Sequence, residues 1–164
     1  MRLNQHEVWL EVAHHEVWLE VAHTVAQRSR CVRSQVGCVL VDADDRIIST
    51  GYNGPPAGYA LAKGRETCAA FCPRHDTEYG KPDFSDCPSV HAELNALLYS
   101  ERSRRIGGVA YITRAPCTDC AKALAASGLK TVIWTSTDED EDYADREHWA
   151  CRFFEACGMR YRTL

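Results

Sequence analysis

The sequence predicts an α/β fold, a three-layer αβα sandwich around a mixed five-stranded sheet. Two patterns carry this prediction. Around residues 36–52, two β-type runs flank a short polar turn, which is typical of a hairpin. From residue 91 onward, three helical patterns alternate with three strand patterns, as in a sheet covered by helices. A length of 164 residues suits one domain, so residues 1–164 are predicted to form a single unit.

The first predicted helix contains an exact duplication. The nonapeptide HEVWLEVAH occupies residues 6–14 and again residues 15–23. Nine residues advance an α-helix by about two and a half turns, so the two copies face opposite sides. We expect the second copy to face the core because an apolar stripe leads from it into the domain: Val17, Trp18, Val21, Ala22, Val25 and Ala26. The duplication is assigned no chemistry.

The remaining elements follow from periodicity. The hairpin has strands at residues 36–41 and 46–52, and residues 53–90 form a long Gly-, Pro- and Asp-rich loop of a kind that is usually functional. The later units are helices at residues 91–104, 118–127 and 143–157, followed by strands at residues 109–113, 131–135 and 159–162.

Composition narrows the classes of function. Neither a membrane-spanning apolar run nor a signal peptide is recognisable, so we expect a cytoplasmic protein without a membrane partner. Nine cysteines, an odd number in a chain of this kind, favour metal-bound thiols over a disulfide framework. The net charge of −4 favours a small substrate over a polynucleotide.

Two short motifs stand at the starts of two predicted helices. One is HAE at residues 91–93 and the other is PCTDC at residues 116–120. Cys117 and Cys120, at i and i+3, share a helix face. On a regular helix His91 and Glu93 would point about 200° apart, so they can share a site only if His91 lies at the irregular entrance.

One histidine and two cysteines are the ligand count of a catalytic zinc site with an open position for water. We therefore predict that His91, Cys117 and Cys120 hold zinc, which lowers the pKa of that water to about 7. Glu93 is left over as the general acid and base. Taken alone, the Cys-x-x-Cys pair would equally suit a redox pair or half of a structural zinc knuckle.

Both motifs match the zinc deaminase signature, and further segments make the similarity more specific. These are SRCVRSQVG, IISTGYNGPPAG, HAELNA, YIT and PCTDCAK, which begin at residues 29, 47, 91, 111 and 116. From about residue 17 to its end, the chain resembles the deoxycytidylate deaminase family of the cytidine deaminase superfamily. The resemblance implies a cytidine deaminase-like fold and zinc-dependent hydrolysis of dCMP to dUMP and ammonia, which supplies dUMP for thymidylate synthesis.

The resemblance also implies a set of substrate-binding residues: Ser29, Arg33, Asn53, Ala92, Tyr111 and Pro116. Within this set, Ser29 and Arg33 would bind the 5′-phosphate, Asn53 would hydrogen-bond the nucleotide and Tyr111 would shape the base pocket. Arg28 and Arg30 are alternative phosphate ligands. A turn asparagine and a core tyrosine are the structural alternatives for Asn53 and Tyr111.

The chain departs from the family pattern at Arg114 and Ala115, where a bulky residue is usual. The small Ala115 beside Pro116 leaves open a substrate with a 5-methyl or 5-hydroxymethyl group on cytosine.

Phage-type members of the family can carry a second, structural zinc that orders the long loop. The resemblance implies that its ligands come from Cys31, Cys68, Cys72, His75 and Cys87, with free thiols as the alternative. Cys38, Cys151 and Cys157 are predicted to lie in the core.

Regulated family members are hexamers that dCTP activates and dTTP inhibits, with Mg²⁺ accompanying the nucleotides. Tyr99 and Arg102, at i and i+3 on the predicted helix, form a candidate effector or subunit face. Gly51, Tyr52 and Gly54 form a candidate turn for an effector. Ordinary packing and surface charge are the structural alternative.

Three other functions compete with dCMP deamination. Deamination of a nucleoside would not require residues 29–33, and deamination of a tRNA adenosine would call for a basic face. A non-catalytic zinc-binding module would have no use for the unliganded Glu93.

Overall fold

The computed structural model describes the backbone of residues 5–62, 72, 87–136 and 141–164, and the side chains of residues 13–59, 72, 87–136 and 144–164. The helices are α1 (Gln5–Ala26), α2 (Ala57–Ala62), α3 (Ala92–Leu98), α4 (Arg102–Arg105), α5 (Thr118–Ala126) and α6 (Glu141–Ala156). The strands are β1 (Gly37–Val41), β2 (Ile47–Tyr52), β3 (Val109–Ile112), β4 (Thr131–Trp134) and β5 (Arg160–Thr163).

The five strands form one mixed sheet in the order β2-β1-β3-β4-β5. Strand β1 runs antiparallel to both β2 and β3, whereas β3, β4 and β5 are parallel. The predicted fold class is therefore confirmed. Because α5 and α6 follow β3 and β4, both helices begin at the edge of the sheet where those parallel strands end.

Among the described residues, α1 is the helix that covers one face of the sheet. Alternate strand residues on that face are buried with Leu19 and Ala22 of the helix; these residues are Val39, Val41, Tyr111 and Ile133. The backbones approach closely, because a Cβ on Gly37 would lie 2.0 Å from the carbonyl oxygen of Ala22. The second copy of the repeat thus faces the core, as predicted. Val17 was wrongly included in the core-facing stripe, because it is 55% exposed, whereas Leu19, two residues later, is buried.

Helices α3, α5 and α6 cover the opposite face. The strand residues that point there are Cys38, Leu40, Ala110, Ile112, Val132 and Trp134. They are buried with Ala96 of α3, Leu124 of α5 and Phe154 of α6. The resulting core reaches the sheet edge at which α3 and α5 begin.

The predicted helix at residues 91–104 is wrong in its extent. Helix α3 ends at Leu98, and α4 begins separately at Arg102 after an extended Glu101. The Nη1 atom of Arg105 donates to the carbonyl oxygens of Leu97 and Ser100, at 2.8 and 3.0 Å, and so satisfies carbonyl groups at the end of α3. The long loop likewise contains the short helix α2, which the sequence did not indicate.

No helix in the described part of the chain has both the length and the apolar character needed to cross a bilayer.

Deleting residues 6–14 should leave the fold and its stability nearly unchanged. The deletion leaves one complete nonapeptide in the position that packs on the sheet, preceded by Gln5 in place of His14. It removes the His14–Asp45 contact of 3.1 Å, which is half-exposed and contributes little. Thermal unfolding of the shortened chain measures its stability. The contrast is Leu19→Ala, which should lower the free energy of unfolding by about 2 to 5 kcal/mol. A loss as large as that of Leu19→Ala would contradict the assignment.

Candidate active site

Two predicted zinc ligands lie at helix entrances. His91 is the N-cap of α3 with φ −68° and ψ 154°, and Cys117 is the N-cap of α5 with φ −70° and ψ 168°. Both backbones are therefore extended where the helices begin. This is the irregular entrance that the sequence required of His91, and it allows His91 and Glu93 to lie at the same site.

The three predicted ligands form a cluster. The Nδ1 atom of His91 lies 3.4 Å from the Sγ atom of Cys117 and 3.4 Å from that of Cys120. Around a tetrahedral zinc ion, ligand nitrogen and sulfur atoms should be about 3.6 Å apart, given the usual bond lengths. Among the described residues, these three are the group of His, Cys, Asp and Glu side chains that is close enough to hold one metal ion. The donor set and its spacing therefore fit zinc.

The thiols of this cluster are electrostatically coupled. A hydrogen bond from Cys120 lowers the pKa of Cys117 to about 3, assisted by the hydrogen bond with His91. The same pairing raises the pKa of Cys120 far above its usual value. Hydrogen bonding to Cys117 also raises the pKa of His91, against the effect of burial. The site thus favours a thiolate at Cys117, the protonation state in which sulfur binds metals.

Glu93 lies beside the cluster on the first turn of α3. Its side chain is only 4% exposed. Burial raises the pKa of its carboxyl, and the positive charge of His91 acts in the opposite direction. Glu93 also lies near Cys38 of β1. Burial raises the pKa of the Cys38 thiol, and the nearby charge of Glu93 raises it further. A shielded carboxyl with a raised pKa is suited to taking and returning a proton.

Residues 12–136 match the family described as "Cytidine and deoxycytidylate deaminase zinc-binding region". The match includes both motifs and the elements that position them. The chain belongs to this family.

Similar proteins within the family cover much of the chain. A deoxycytidylate deaminase of Mycobacterium phage D29 is 47% identical over 115 residues, which are 66% of this chain and 84% of that protein. The deoxycytidylate deaminase of Enterobacteria phage T2 is 35% identical over 143 residues, covering 69% of this chain and 74% of the relative. The human deoxycytidylate deaminase is 34% identical over 145 residues, covering 85% of this chain and 72% of the human protein.

Solved structures share the fold. The dCMP deaminase of cyanophage S-TIM5 in apo form superposes with a TM-score of 0.66 at 23% identity, covering 92% of this chain and 96% of that one. The same cyanophage enzyme in complex with dCMP and dUMP gives a TM-score of 0.62 at 23% identity and covers 99% of this chain and 100% of that one. The architecture is thus that of the family.

Asn53 is buried, and its side-chain amide holds the segment before β1. Its Oδ1 accepts from the backbone N–H of Val36 at 2.8 Å, and its Nδ2 donates to the carbonyl oxygen of Ser34 at 2.9 Å. Both amide groups therefore already serve the fold. A contact to a nucleotide stays a prediction, since an amide oxygen accepts two hydrogen bonds and an NH₂ group donates two.

Ser29 does not suit its predicted role as a phosphate donor. Its side chain is buried, and its Oγ donates to the carbonyl oxygen of Asn53 at 2.7 Å while accepting from the N–H of Cys31. A serine hydroxyl can donate one hydrogen bond, and here the backbone carbonyl oxygen of Asn53 accepts it. Arg33, in contrast, is half-buried on the same segment.

The prediction that Tyr111 shapes the base pocket is wrong. Its ring is buried on the α1 face of the sheet, opposite the metal cluster, and its hydroxyl lies 2.8 Å from Nδ1 of His15. Strand alternation gives the reason, because Ala110 and Ile112 take the face toward α3 and α5. Ala92 and Pro116 do lie at the two helix entrances, and both are buried.

The predicted second zinc site is only partly described. Cys31, Cys72 and Cys87 are half-buried free thiols, and they do not form a group that could hold one ion among the described residues. Cys68 and His75 lie outside the described residues. Cys38 is in the core as predicted, whereas Cys151 is only half-buried and Cys157 is exposed at the end of α6.

The prediction that Tyr99 and Arg102 form one face of a single helix is wrong. Tyr99 caps the end of α3, and Arg102 starts α4, so they do not share a helix face. Gly51 is also not part of a flexible turn, since it is buried within β2. Tyr52 ends β2 with a partly exposed side chain, and Gly54 pairs with Val90 in an isolated bridge.

Gly51, which the sequence analysis placed in an effector turn, instead lets α3 approach β2 beside the site. A Cβ at this position would lie 2.1 Å from the carbonyl oxygen of Ala92 and 2.5 Å from the backbone nitrogen of Ala96. Only glycine lets the strand and helix approach this closely. A glycine at a buried strand position was the available sequence signal.

Replacing Gly51 with alanine should therefore disturb the site through the fold. The added methyl group must push α3 away from β2, which should cost about 1 to 3 kcal/mol of stability and weaken zinc retention. Denaturant unfolding and metal analysis measure both effects. Gly54→Ala is the matched control, because a Cβ there meets no atom within 4 Å. Equal behaviour of the two variants would refute the role given to Gly51.

Proposed function

We infer that the protein hydrolyses dCMP to dUMP and ammonia, with zinc held by His91, Cys117 and Cys120. The observation that carries this proposal is the three-ligand cluster with Glu93 buried beside it, in a chain of the deaminase family. The relatives named deoxycytidylate deaminase support dCMP as the substrate.

Zinc, when bound, polarises a water molecule and makes it nucleophilic near neutral pH. In the overall reaction, the water oxygen forms a bond to C4 of cytosine, and the bond from C4 to the exocyclic nitrogen breaks. Glu93 takes one proton from the water and gives it to the ring nitrogen next to C4. It then takes the second proton from the oxygen now bonded to C4 and gives it to the amine, which leaves as ammonia while that oxygen becomes the carbonyl of dUMP. Its burial favours this role, because a carboxyl with a raised pKa holds a proton more readily.

The surroundings of the cluster support the same assignment. His91 and Cys117 belong to the first turns of two helices, whose partial positive charge favours anionic groups nearby. Glu93 is buried and its carboxyl lies near Cys38 of the apolar core, so bulk water has little access to it. A structural zinc site would gain nothing from this buried acid.

The preference at cytosine C5 belongs to the same proposal. Ala115 is buried beside Pro116, and its methyl group is smaller than the bulky side chain that is usual in the family at this position. We propose that 5-methyl-dCMP and 5-hydroxymethyl-dCMP are accepted beside dCMP. Ultraviolet absorbance recorded separately for these nucleotides, dCTP and deoxycytidine gives the substrate order.

Replacing Glu93 with glutamine should abolish most turnover without removing zinc. Glutamine keeps the size of the side chain but cannot carry the proton, so kcat should fall at least about 100-fold. Metal analysis should find the catalytic zinc retained, whereas the control Cys117→Ala should lose it. Loss of zinc from Glu93→Gln would show that Glu93 is a ligand and would overturn its role as proton carrier.

The second zinc remains a proposal supported by the resemblance and by half-buried thiols in the long loop. Metal analysis of the whole chain should give two zinc ions per molecule, because a closed site of four such ligands would bind the metal tightly and add to the folding free energy. Cys117→Ala should then retain one ion. A single zinc in the unaltered chain, together with rapid alkylation of Cys68 and Cys72, would rule the site out.

Regulation and assembly rest on the family resemblance alone. We propose a homo-oligomer, a hexamer as in regulated members, with dCTP as activator, dTTP as inhibitor and Mg²⁺ bound with either nucleotide. Tyr52, Tyr99 and Arg102 are the candidates whose side chains are accessible. A dCMP saturation curve with and without each nucleotide tests this regulation.

A further inference from the structure

Arg114 lies where two parts of the site meet. It follows β3 and precedes Cys117 by three residues, a stretch of chain that spans at most about 10 Å. Its side chain reaches the segment before β1, where Nη1 donates to the Oγ of Ser34 at 2.6 Å. The guanidinium group therefore contacts residues 28–36 from a backbone position three residues before the metal ligand Cys117.

That segment is fixed in relation to the metal cluster. Asn53 binds the backbone of Ser34 and Val36 through both groups of its side-chain amide. The hydroxyl of Ser29 donates to the carbonyl oxygen of Asn53. The side-chain Nε2 of Gln35 in turn donates to the carbonyl oxygen of Ser29 at 2.7 Å. A charge attached to this network is held in place rather than free to swing in solvent.

The two segments that the Arg114–Ser34 contact joins carry positive charge, in contrast to the whole chain. Residues 27–37 and 109–118 together contain four arginines and no aspartate or glutamate, whereas the chain carries a net charge of −4. The arginines are Arg28, Arg30, Arg33 and Arg114. The side chain of Arg114 is half-buried and its Nε atom is shielded from solvent. Shielding strengthens its attraction for an anion.

We propose that Arg114 binds the 5′-phosphate of the substrate and thereby sets the preference for a nucleotide over a nucleoside. The proposal rests on the proposed deamination of dCMP. The phosphate and the reacting amine lie at opposite ends of dCMP, so a phosphate ligand must stand beside the metal cluster and not in it. A guanidinium group offers five N–H donors in a planar fork and can bind a serine hydroxyl and a phosphate together. Arg114 takes the donor role that the buried Ser29 cannot fill.

The test compares dCMP with deoxycytidine, which lacks the phosphate. In Arg114→Gln, kcat/KM for dCMP should fall about 10- to 100-fold, the range expected for one charge-assisted contact, while kcat/KM for deoxycytidine stays within about twofold. Arg114→Lys keeps the charge but loses the planar fork of donors, so its kcat/KM for dCMP should lie between that of the unaltered protein and that of Arg114→Gln. Arg46→Gln removes the same charge at the opposite edge of the sheet and should change neither value.

A merely structural role for Arg114 predicts a different pattern. If Arg114 only anchors residues 28–36 through the Ser34 hydroxyl, Ser34→Ala should reproduce the effects of Arg114→Gln. If Arg114 binds phosphate, Ser34→Ala should change the dCMP preference by less than about threefold, since the guanidinium remains. Equal losses with both substrates, or no change with either, would overturn the proposal.

Binding measured without turnover separates this proposal from the proposed reaction. In the zinc-loaded Glu93→Gln background, calorimetry gives the Kd of dCMP and of deoxycytidine directly. Adding Arg114→Gln should weaken dCMP binding about 10- to 100-fold and leave deoxycytidine unaffected. Unaltered protein that deaminates neither compound would refute the proposed function, whereas an unchanged Kd for dCMP in the double variant would refute the role of Arg114.

Discussion

The close approach of α3 to β2 decides where the chemistry of this protein can take place. His91 and Glu93 sit on the first turn of α3, and Cys117 and Cys120 sit on the first turn of α5. The two helices are adjacent, so their entrances meet only if each helix lies deep against the sheet. At Gly51 the absence of a side chain permits that depth. The distances of 3.4 Å from His91 to the two sulfur atoms follow from this packing.

The segment before β1 is tied to the same frame by polar contacts. Asn53 follows β2 and holds Ser34 and Val36, while Thr113, just after β3, accepts the backbone N–H of Gly37 at 3.1 Å. These buried contacts are well satisfied, so the segment gains little by moving away from the sheet. Substrate recognition by residues 28–36 would thus be fixed in relation to the metal cluster before a ligand arrives. Such preorganisation reduces the entropy lost on binding.

Local pattern predicted the sheet and the metal cluster, but not the features that depend on packing. The helical pattern runs through residues 91–104, yet Arg105 satisfies the carbonyl groups at the end of α3 and the helix stops at Leu98. Strand alternation was available to place Tyr111 on the α1 face, but the resemblance to known deaminases outweighed it. Ser29 shows a third limit, because its hydrogen bond to the Asn53 carbonyl joins residues that are far apart in sequence. His91, Cys117 and Cys120 were predictable because coordination chemistry restricts ligand type and spacing together.

The local charge matters more than the net charge for binding an anionic nucleotide. At physiological ionic strength, interactions between exposed charges fade over about 8 Å, so acidic side chains elsewhere on the surface have little effect on a phosphate at the site. The nearest acid in sequence after Cys117 is Asp119, whose side chain is 84% exposed and lies 3.4 Å from Lys122. Its charge is both solvated and partly balanced. Four arginines on two neighbouring segments suit one phosphate group, whereas a polynucleotide presents many phosphates and would need a basic surface extending well beyond them. The four arginines of these two segments, rather than the net charge of −4, are therefore the feature that bears on binding of a mononucleotide phosphate.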